Sequence, residues 1–152
     1  MSKKRNNRTL LLQIATLAAG LTLLPVPRSP AFLFSVQTVR QQSAYYVSNS
    51  GNNTWDGLSP TWDGGSSGPW QTLQHADNTV FPPGEILFLN RGDVFQGPIT
   101  LQGSGDTDAP CTVMPYGEGP LPVIESPSSY GMSFLDDAWI VQGLEFRNCL
   151  TG

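Results

Sequence analysis

Lysine is missing from this 152-residue chain after Lys4, and beyond position 31 only Arg40, Arg91 and Arg147 are basic. All twelve acids lie in that same stretch, so it carries a net charge of −9. A surface of that sign repels phosphate backbones, which argues against nucleic acid as a partner. It also opposes a polyanionic sugar unless arginine, lysine or a bound divalent cation offsets the repulsion. Histidine occurs once, at His75, and cysteine twice, at Cys111 and Cys149. Long apolar runs are equally scarce. The one present, Leu10 to Leu24, is about fifteen residues against the roughly twenty that span a bilayer, and Gln13 and Thr16 interrupt it.

That run sits between a basic cluster (Lys3, Lys4, Arg5, Arg8) and the segment Pro25, Pro27, Ser29-Pro30-Ala31. Basic, apolar, then small residues is the order of a cleaved export signal. Residues 1–31 are therefore expected to be a signal peptide, 32–44 a linker, and 45–152 the folded part. Cleavage after Ala44 is the less favourable alternative, because Gln42 is a poorer small-residue substitute than Ser29. A retained membrane anchor is the competing reading of the first segment. The expected location is secreted or cell-surface, with no membrane contact after cleavage. An oxidising compartment permits one disulfide, Cys111 with Cys149. The two sit at different phases of the apolar pattern, so they need not face each other, and the alternatives are small buried thiols or the pairing of one with residues beyond this chain.

From Tyr45 onward, short apolar runs alternate with clusters of Gly, Pro, Asn, Asp and Ser, the punctuation of many short strands. Tyr45–Ser48 reads as a strand and 49–69 as a long loop. Trp70, Leu73, Ala76 and Val80 recur at helical spacing after Pro69, predicting one short amphipathic helix over 70–80. Three later blocks then align. They are Ile86–Leu89 with Arg91-Gly92-Asp93 and Ile99–Leu101, Cys111–Met114 with Tyr116–Gly119 and Pro122–Ile124, and Trp139–Val141 with Gln142-Gly143 and Leu144–Phe146. Each is strand, glycine-bearing turn, strand. No such unit buries its apolar side alone, whereas stacked parallel coils do. An antiparallel sandwich is the competing architecture. Asp-Gly hairpin signals, however, occur only at Asp56-Gly57 and Asp63-Gly64, inside the long loop. Asn148, at a strand end, is expected to turn inward and bond its counterpart in a neighbouring coil.

Tyr45–Asn52, Gly57-Leu58-Ser59-Pro60, Gly68–Gln74, Pro83–Phe88, Arg91–Phe95, Tyr116–Gly119 and Gly143–Asn148 together resemble the opening segment of secreted proteins of the pectate-lyase-like superfamily. The resemblance covers nearly all of 45–152. It implies an all-β fold, a right-handed parallel β-helix (solenoid) with a short N-terminal capping helix, incomplete here. It implies little about the reaction, since the superfamily holds polysaccharide lyases, glycoside hydrolases, epimerases and non-catalytic surface proteins. In such enzymes the sugar lies on middle coils. A stack that stops at Gly152, just after a strand, leaves edges open, so the catalytic coils are expected to be missing from this chain. The expected partner is a polysaccharide or cell-surface glycan, bound or processed. The alternative is a non-catalytic adhesive β-helix. No cofactor is evident, and calcium belongs at most to a full-length homologue.

Candidate sites each have a plainer competitor. Trp55 and Trp62 are the sugar-contact candidates, since aromatic rings stack on sugar faces, while Trp70 is expected to be buried. Asp106 and Asp108 offer oxygen ligands to a metal, but no glutamate completes a calcium loop, and a solvated turn competes. Asp136-Asp137 has the composition of a glycosidase pair, yet adjacent strand residues face opposite ways, and a turn explains them. Arg91-Gly92-Asp93 spells an integrin-binding tripeptide but equally supplies a tight turn. His75 is the one histidine available as a general base, with a partly exposed helix position as the competitor. No catalytic residue is identified.

Overall fold

The structure, a computed structural model, describes residues 42–150; the expected signal peptide and most of the expected linker lie outside them. Nine strands and one short helix follow in the order β1 Ala44–Val47, α1 Leu73–Asp77, β2 Ile86–Asn90, β3 Val94–Gln96, β4 Ile99–Leu101, β5 Cys111–Tyr116, β6 Val123–Glu125, β7 Met132–Phe134, β8 Trp139–Val141 and β9 Glu145–Arg147. They form three sheets. Sheet one has the order β1-β2-β5-β8, sheet two β3-β6-β9 and sheet three β4-β7. Every pairing between these strands is parallel. The chain visits the three sheets in turn and then returns to the first, so the fold is all-β with almost no helix. An antiparallel sandwich is excluded.

Three strands make a circuit, not the two read from sequence. The partner of Val123 is Val94, in β3, and not Ile99, which pairs with Met132 in sheet three. β3 escapes a pattern reading because only Phe95 of its three residues is buried, leaving Val94 and Gln96 exposed. β7 escapes for the same reason, with no fully buried residue.

Alternation explains the core. In β2, Leu87 and Leu89 are buried while Ile86, Phe88 and Asn90 are partly exposed, as period-two geometry requires. Register places Leu87 beside Val113, Ile124 beside Phe95, and Leu101 beside Phe134. Val47, Leu87, Leu89, Phe95, Ile99, Leu101, Val113 and Ile124 fill one continuous interior. Burying each such side chain contributes about 1.5–3 kcal/mol before entropy is counted.

The helix is shorter than expected. It spans five residues after Thr72, and Pro69 lies before it. Strand pairing claims both flanks: Trp70 bridges Val47 and Val80 bridges Gln102. Extended backbone at Val80 turns its side chain outward, 67% exposed, and Phe81 takes the core position instead.

Residues 42–85 close one end of the stack. The free edge of β1 is met by Gly57 and Trp70, with Tyr46 N donating to Gly57 O at 2.8 Å and Trp70 N to Tyr46 O at 2.8 Å. On β3, Asn49 Nδ2 donates to Val94 O at 3.1 Å and Gln74 Nε2 to Gln96 O at 3.0 Å. On β4, Thr100 N donates to Asp77 Oδ1, and just past that strand Phe81 N donates to Gln102 O at 2.9 Å. Polar groups of a sheet edge are thereby satisfied, strand by strand. At the opposite end, formed by β7, β8 and β9, Phe134, Ile140, Val141 and Phe146 are exposed.

Candidate functional site

Loop 49–69 holds the two tryptophans singled out above. Asx-type bonds shape it: Asp56 Oδ1 accepts from Leu58 N at 2.9 Å, and Asp63 Oδ1 from Gly65 N at 2.8 Å. Backbone bonds Asp56 N to Ser66 O (3.1 Å) and Asp63 N to Ser67 O (3.0 Å) fold the loop back on itself. Trp55 and Trp62 are thereby brought together, their rings stacked with centroids 5.7 Å apart and planes 6° apart. Trp62 Nε1 donates to Gly65 O at 2.8 Å, which fixes the indole's orientation.

The two rings are not equivalent. Trp55 is half-buried, covered by Trp62 on one side and approached closely by Gly68, where any Cβ would strike its ring. Trp62 is 58% exposed and leaves its outer ring face to solvent. Trp70 is buried, as expected, and its Nε1 donates to Trp55 O at 3.1 Å, tying the platform to the core.

The other candidates are dispersed. Asp106 and Ala109 exchange backbone hydrogen bonds at 2.9 and 3.0 Å, closing a small turn that carries Asp108. Among the described residues, no three of His, Cys, Asp and Glu gather as metal ligands would. Asp136 accepts from Gly103 N at 2.8 Å and the Asp137 carbonyl from Gly105 N at 3.1 Å, holding the turn before β8. Arg91-Gly92-Asp93 joins β2 to β3. Gly92 has φ +83°, Arg91 Nη1 donates to Gly119 O at 3.1 Å, and Asp93 Oδ2 accepts from Ser48 Oγ, Asn49 N and Asn90 Nδ2. His75 packs on Trp70, ring centroids 4.6 Å apart.

The two cysteines are free and apart. Cys111 points inward at the start of β5, its thiol against the carbonyls of Phe81 and Pro82, and burial pushes its pKa up. Cys149 lies just past β9, its thiol against the carbonyls of Ile124 and Arg147. The Cys111–Cys149 bond that the sequence permits is not formed, since the residues belong to different corners of the circuit, in keeping with their different phases in the apolar pattern. Asn148 also departs from expectation. It is exposed, sits at φ 53°, and donates outward to Glu125 Oε1 at 2.6 Å, one circuit back, so the contact crosses circuits without an asparagine partner.

Sequence reading missed an outward row on sheet one. Tyr46 and Phe88 stack at 5.1 Å and 12°, and Tyr116 meets Tyr46 edge-on at 5.1 Å. Tyr116 is hydrogen-bonded to the Ser48 side chain, and burial pushes its pKa up to about 12. The signal was available: Tyr46 and Phe88 occupy the outward phase of strands whose inward phase is plainly Val47, Leu87 and Leu89.

Among the described residues, no helix is long and apolar enough to cross a membrane. No family model matches the chain. No curated protein matches it either. Among solved structures, the chain is similar to GH136 lacto-N-biosidase from Eubacterium ramulus, in crystals of the native protein and of its selenomethionine derivative alike. Each match has 23% identity and a TM-score of 0.59, covering 70% of this chain and 20% of that one. The chain thus spans about a fifth of the length of that protein. At this identity the likeness establishes shared architecture, a β-rich fold of parallel strands.

Proposed function

We propose that the chain is the opening part of an exported right-handed parallel β-helix protein of the pectate-lyase-like kind that binds or processes polysaccharide, with Trp62 as its sugar contact. The observation that carries this is the Trp62 ring, held flat on Trp55 and locked through Gly65 while its other face meets solvent. A ring fixed in this way loses little freedom when a sugar's apolar face settles on it. Support comes also from the likeness to GH136 lacto-N-biosidase, a glycoside hydrolase.

Trp62, and not Trp55, is the contact on this reading, because Trp55 is half-buried beneath Trp62 and close against Gly68. The reacting groups belong to circuits stacked beyond β7, β8 and β9, where exposed apolar side chains offer a surface for another layer. Residues 1–31 direct export to the exterior or the cell surface. Without chemistry on the added circuits, the same contact serves an adhesive protein.

The test is retention of the chain, produced without residues 1–31, in native gels containing soluble neutral glycans. Trp62→Ala is expected to weaken retention by roughly fivefold, the equivalent of about 1 kcal/mol of stacking. No cleavage of those glycans is expected from this chain alone. Failure of every neutral glycan to retard it would overturn the reading, and cleavage would overturn the placement of the chemistry.

A further inference from the structure

Sheet one has an outer face that the tryptophan loop does not use. On β5, Thr112, Met114 and Tyr116 point away from the interior, opposite to Cys111 and Val113. Register sets Thr112 beside Ile86, Met114 beside Phe88 and Tyr116 beside Asn90, with Tyr46 beside Phe88 on the next strand. The result is a floor of Tyr46, Ile86, Phe88, Met114 and Tyr116 on the outside of the first circuits. All five are half-buried, and the rings cover one another's faces, so they present edges and an apolar surface. The Gln142 amide reaches Met114 Sδ at 3.7 Å from the third circuit.

One end of this floor opens into a cavity of about 270 Å³, lined by Gln42, Gly84, Asp108 and Thr112 among others. Thr112 belongs to the cavity wall and stands beside Ile86 of the floor. From Thr112 to Tyr116 the strand advances about 13 Å, at roughly 3.3 Å per residue. Asn90 and Asp93 stand at the far end. A cavity, an apolar floor and uncharged polar groups along the edges form one strip parallel to the strands.

Charge narrows the ligand. Among the described residues, Arg147 on Glu145 at 2.7 Å and His75 on Trp70 are engaged away from the strip, while Arg91, whose backbone N bonds Tyr116 O at the far end, turns its guanidinium onto Gly119 O at 3.1 Å. The strip is flanked by Asp108 at one end and Asp93 at the other. A uronate or sulfated chain would meet a carboxylate at each end and, along the floor between them, no cation among the described residues, since the one arginine nearby is bonded to Gly119. A neutral saccharide suits an apolar floor with hydroxyl and amide edges.

We propose that the outer face of sheet one, from the Thr112 cavity to Tyr116, is a second binding site, for a neutral oligosaccharide chain lying along the strands. This rests on the glycan reading above but on different residues. The experiment is native affinity electrophoresis of the chain produced without residues 1–31, in gels carrying hydroxyethyl cellulose, galactomannan or polygalacturonate. Variants are Phe88→Gln, which makes the floor polar, and Thr112→Tyr, which fills the cavity mouth from an outward position. Thermal melts verify folding, and Thr112→Tyr decides the matter if Phe88→Gln fails to fold. Each variant is expected to weaken retention by at least one neutral polymer fivefold or more, with polygalacturonate causing no retention of any form.

Unchanged retention in both folded variants, with Trp62→Ala still defective, overturns this site and leaves the glycan reading standing. Absence of retention for the unmodified chain in all neutral gels sinks both. Retention by polygalacturonate overturns the neutral assignment. A change in sedimentation without a change in retention makes the face a contact between copies and overturns the proposal.

Discussion

Trp70 lies nearly flat on Tyr45, ring centroids 5.0 Å apart and planes 19° apart, and this pair fastens the loop at residues 49–69 to the first strand. Phe81 meets Tyr45 edge-on at 5.5 Å, and Trp139 meets Phe81 at 5.6 Å, so aromatic contact runs from the closed end toward the third circuit. Such pairs contribute about 0.5–1.5 kcal/mol each beyond the area they bury.

Trp70→Ala therefore removes a buried anchor, a backbone-tied ring and the support beneath Trp55. A loss of about 3–5 kcal/mol in unfolding free energy is expected from urea titration. Trp62→Ala, at the exposed surface, is expected to change stability by no more than about 0.5 kcal/mol. Equal losses in the two variants would contradict the division of labour between anchor and platform.

Gly103 and Gly64 both have positive φ, +114° and +91°, but only one is crowded. A Cβ at Gly103 would collide with the backbone of Phe81, whereas at Gly64 nothing lies within 4 Å. Gly103→Ala is expected to cost several kcal/mol, because neither chain segment can yield without breaking the Phe81 to Gln102 bond. Gly64→Ala is expected to cost about 1 kcal/mol, from its backbone conformation alone. Melting temperatures of the two variants, compared side by side, check the ranking.

Much of this was legible in sequence. Strands with two or more inward apolar residues, such as Ile86–Asn90 and Cys111–Tyr116, declare themselves by alternation, and their glycine-bearing turns follow. Parallel stacking was legible because no single block closes its own core. The three-strand circuit was not, since β3 in sheet two has one buried residue and β7 in sheet three has none, and their pairing depends on partners in the adjacent circuits. Helix length failed for a related reason: spacing cannot reveal that Trp70 and Val80 are claimed by strands distant in sequence. At the site, aromatic composition pointed to Trp55 and Trp62, but only coordinates distinguish the covered ring from the open one.

Glu85 is 8% exposed, and among the described residues its Oε2 has no hydrogen-bond partner. Burial raises its pKa above the usual carboxylate value, opposed more weakly by a hydrogen bond from Ser43. The folded chain thus holds this proton to higher pH than the unfolded chain does. Its contribution to stability is complete below the unfolded pKa and is lost as pH rises through the raised folded value. Glu85→Gln cannot ionise, so its melting temperature is expected to gain on that of the parent as pH climbs upward from about 4.5. A constant difference across that range would refute the assignment.

Asp106 closes a turn through backbone bonds with Ala109, and Asp108 sits within it. Calcium in millimolar amounts is expected to leave the melting temperature of the chain unchanged, and Asp106→Asn with Asp108→Asn to behave like the parent with calcium or chelator. A calcium-dependent rise abolished by the double substitution would restore them as ligands, since a bound ion stabilises by mass action.

Unlike the end sealed by Gly57, Trp70, Gln74 and Asp77, the end formed by β7, β8 and β9 leaves apolar side chains in water. Ile140 is 46% exposed and Phe146 45%. Parallel edges with such side chains are templates for further pairing. In isolation the chain is therefore expected to associate with increasing concentration. Ile140→Lys with Phe146→Glu places charge on two of the three edges, Ile140 in the outward phase beside Thr112 and Phe146 in the inward phase beside Ile124. Sedimentation velocity over a concentration series is expected to show association in the parent and a monomer in the double variant, with thermal melts verifying that the variant folds. Association that persists in the folded double variant would move the contact away from these edges.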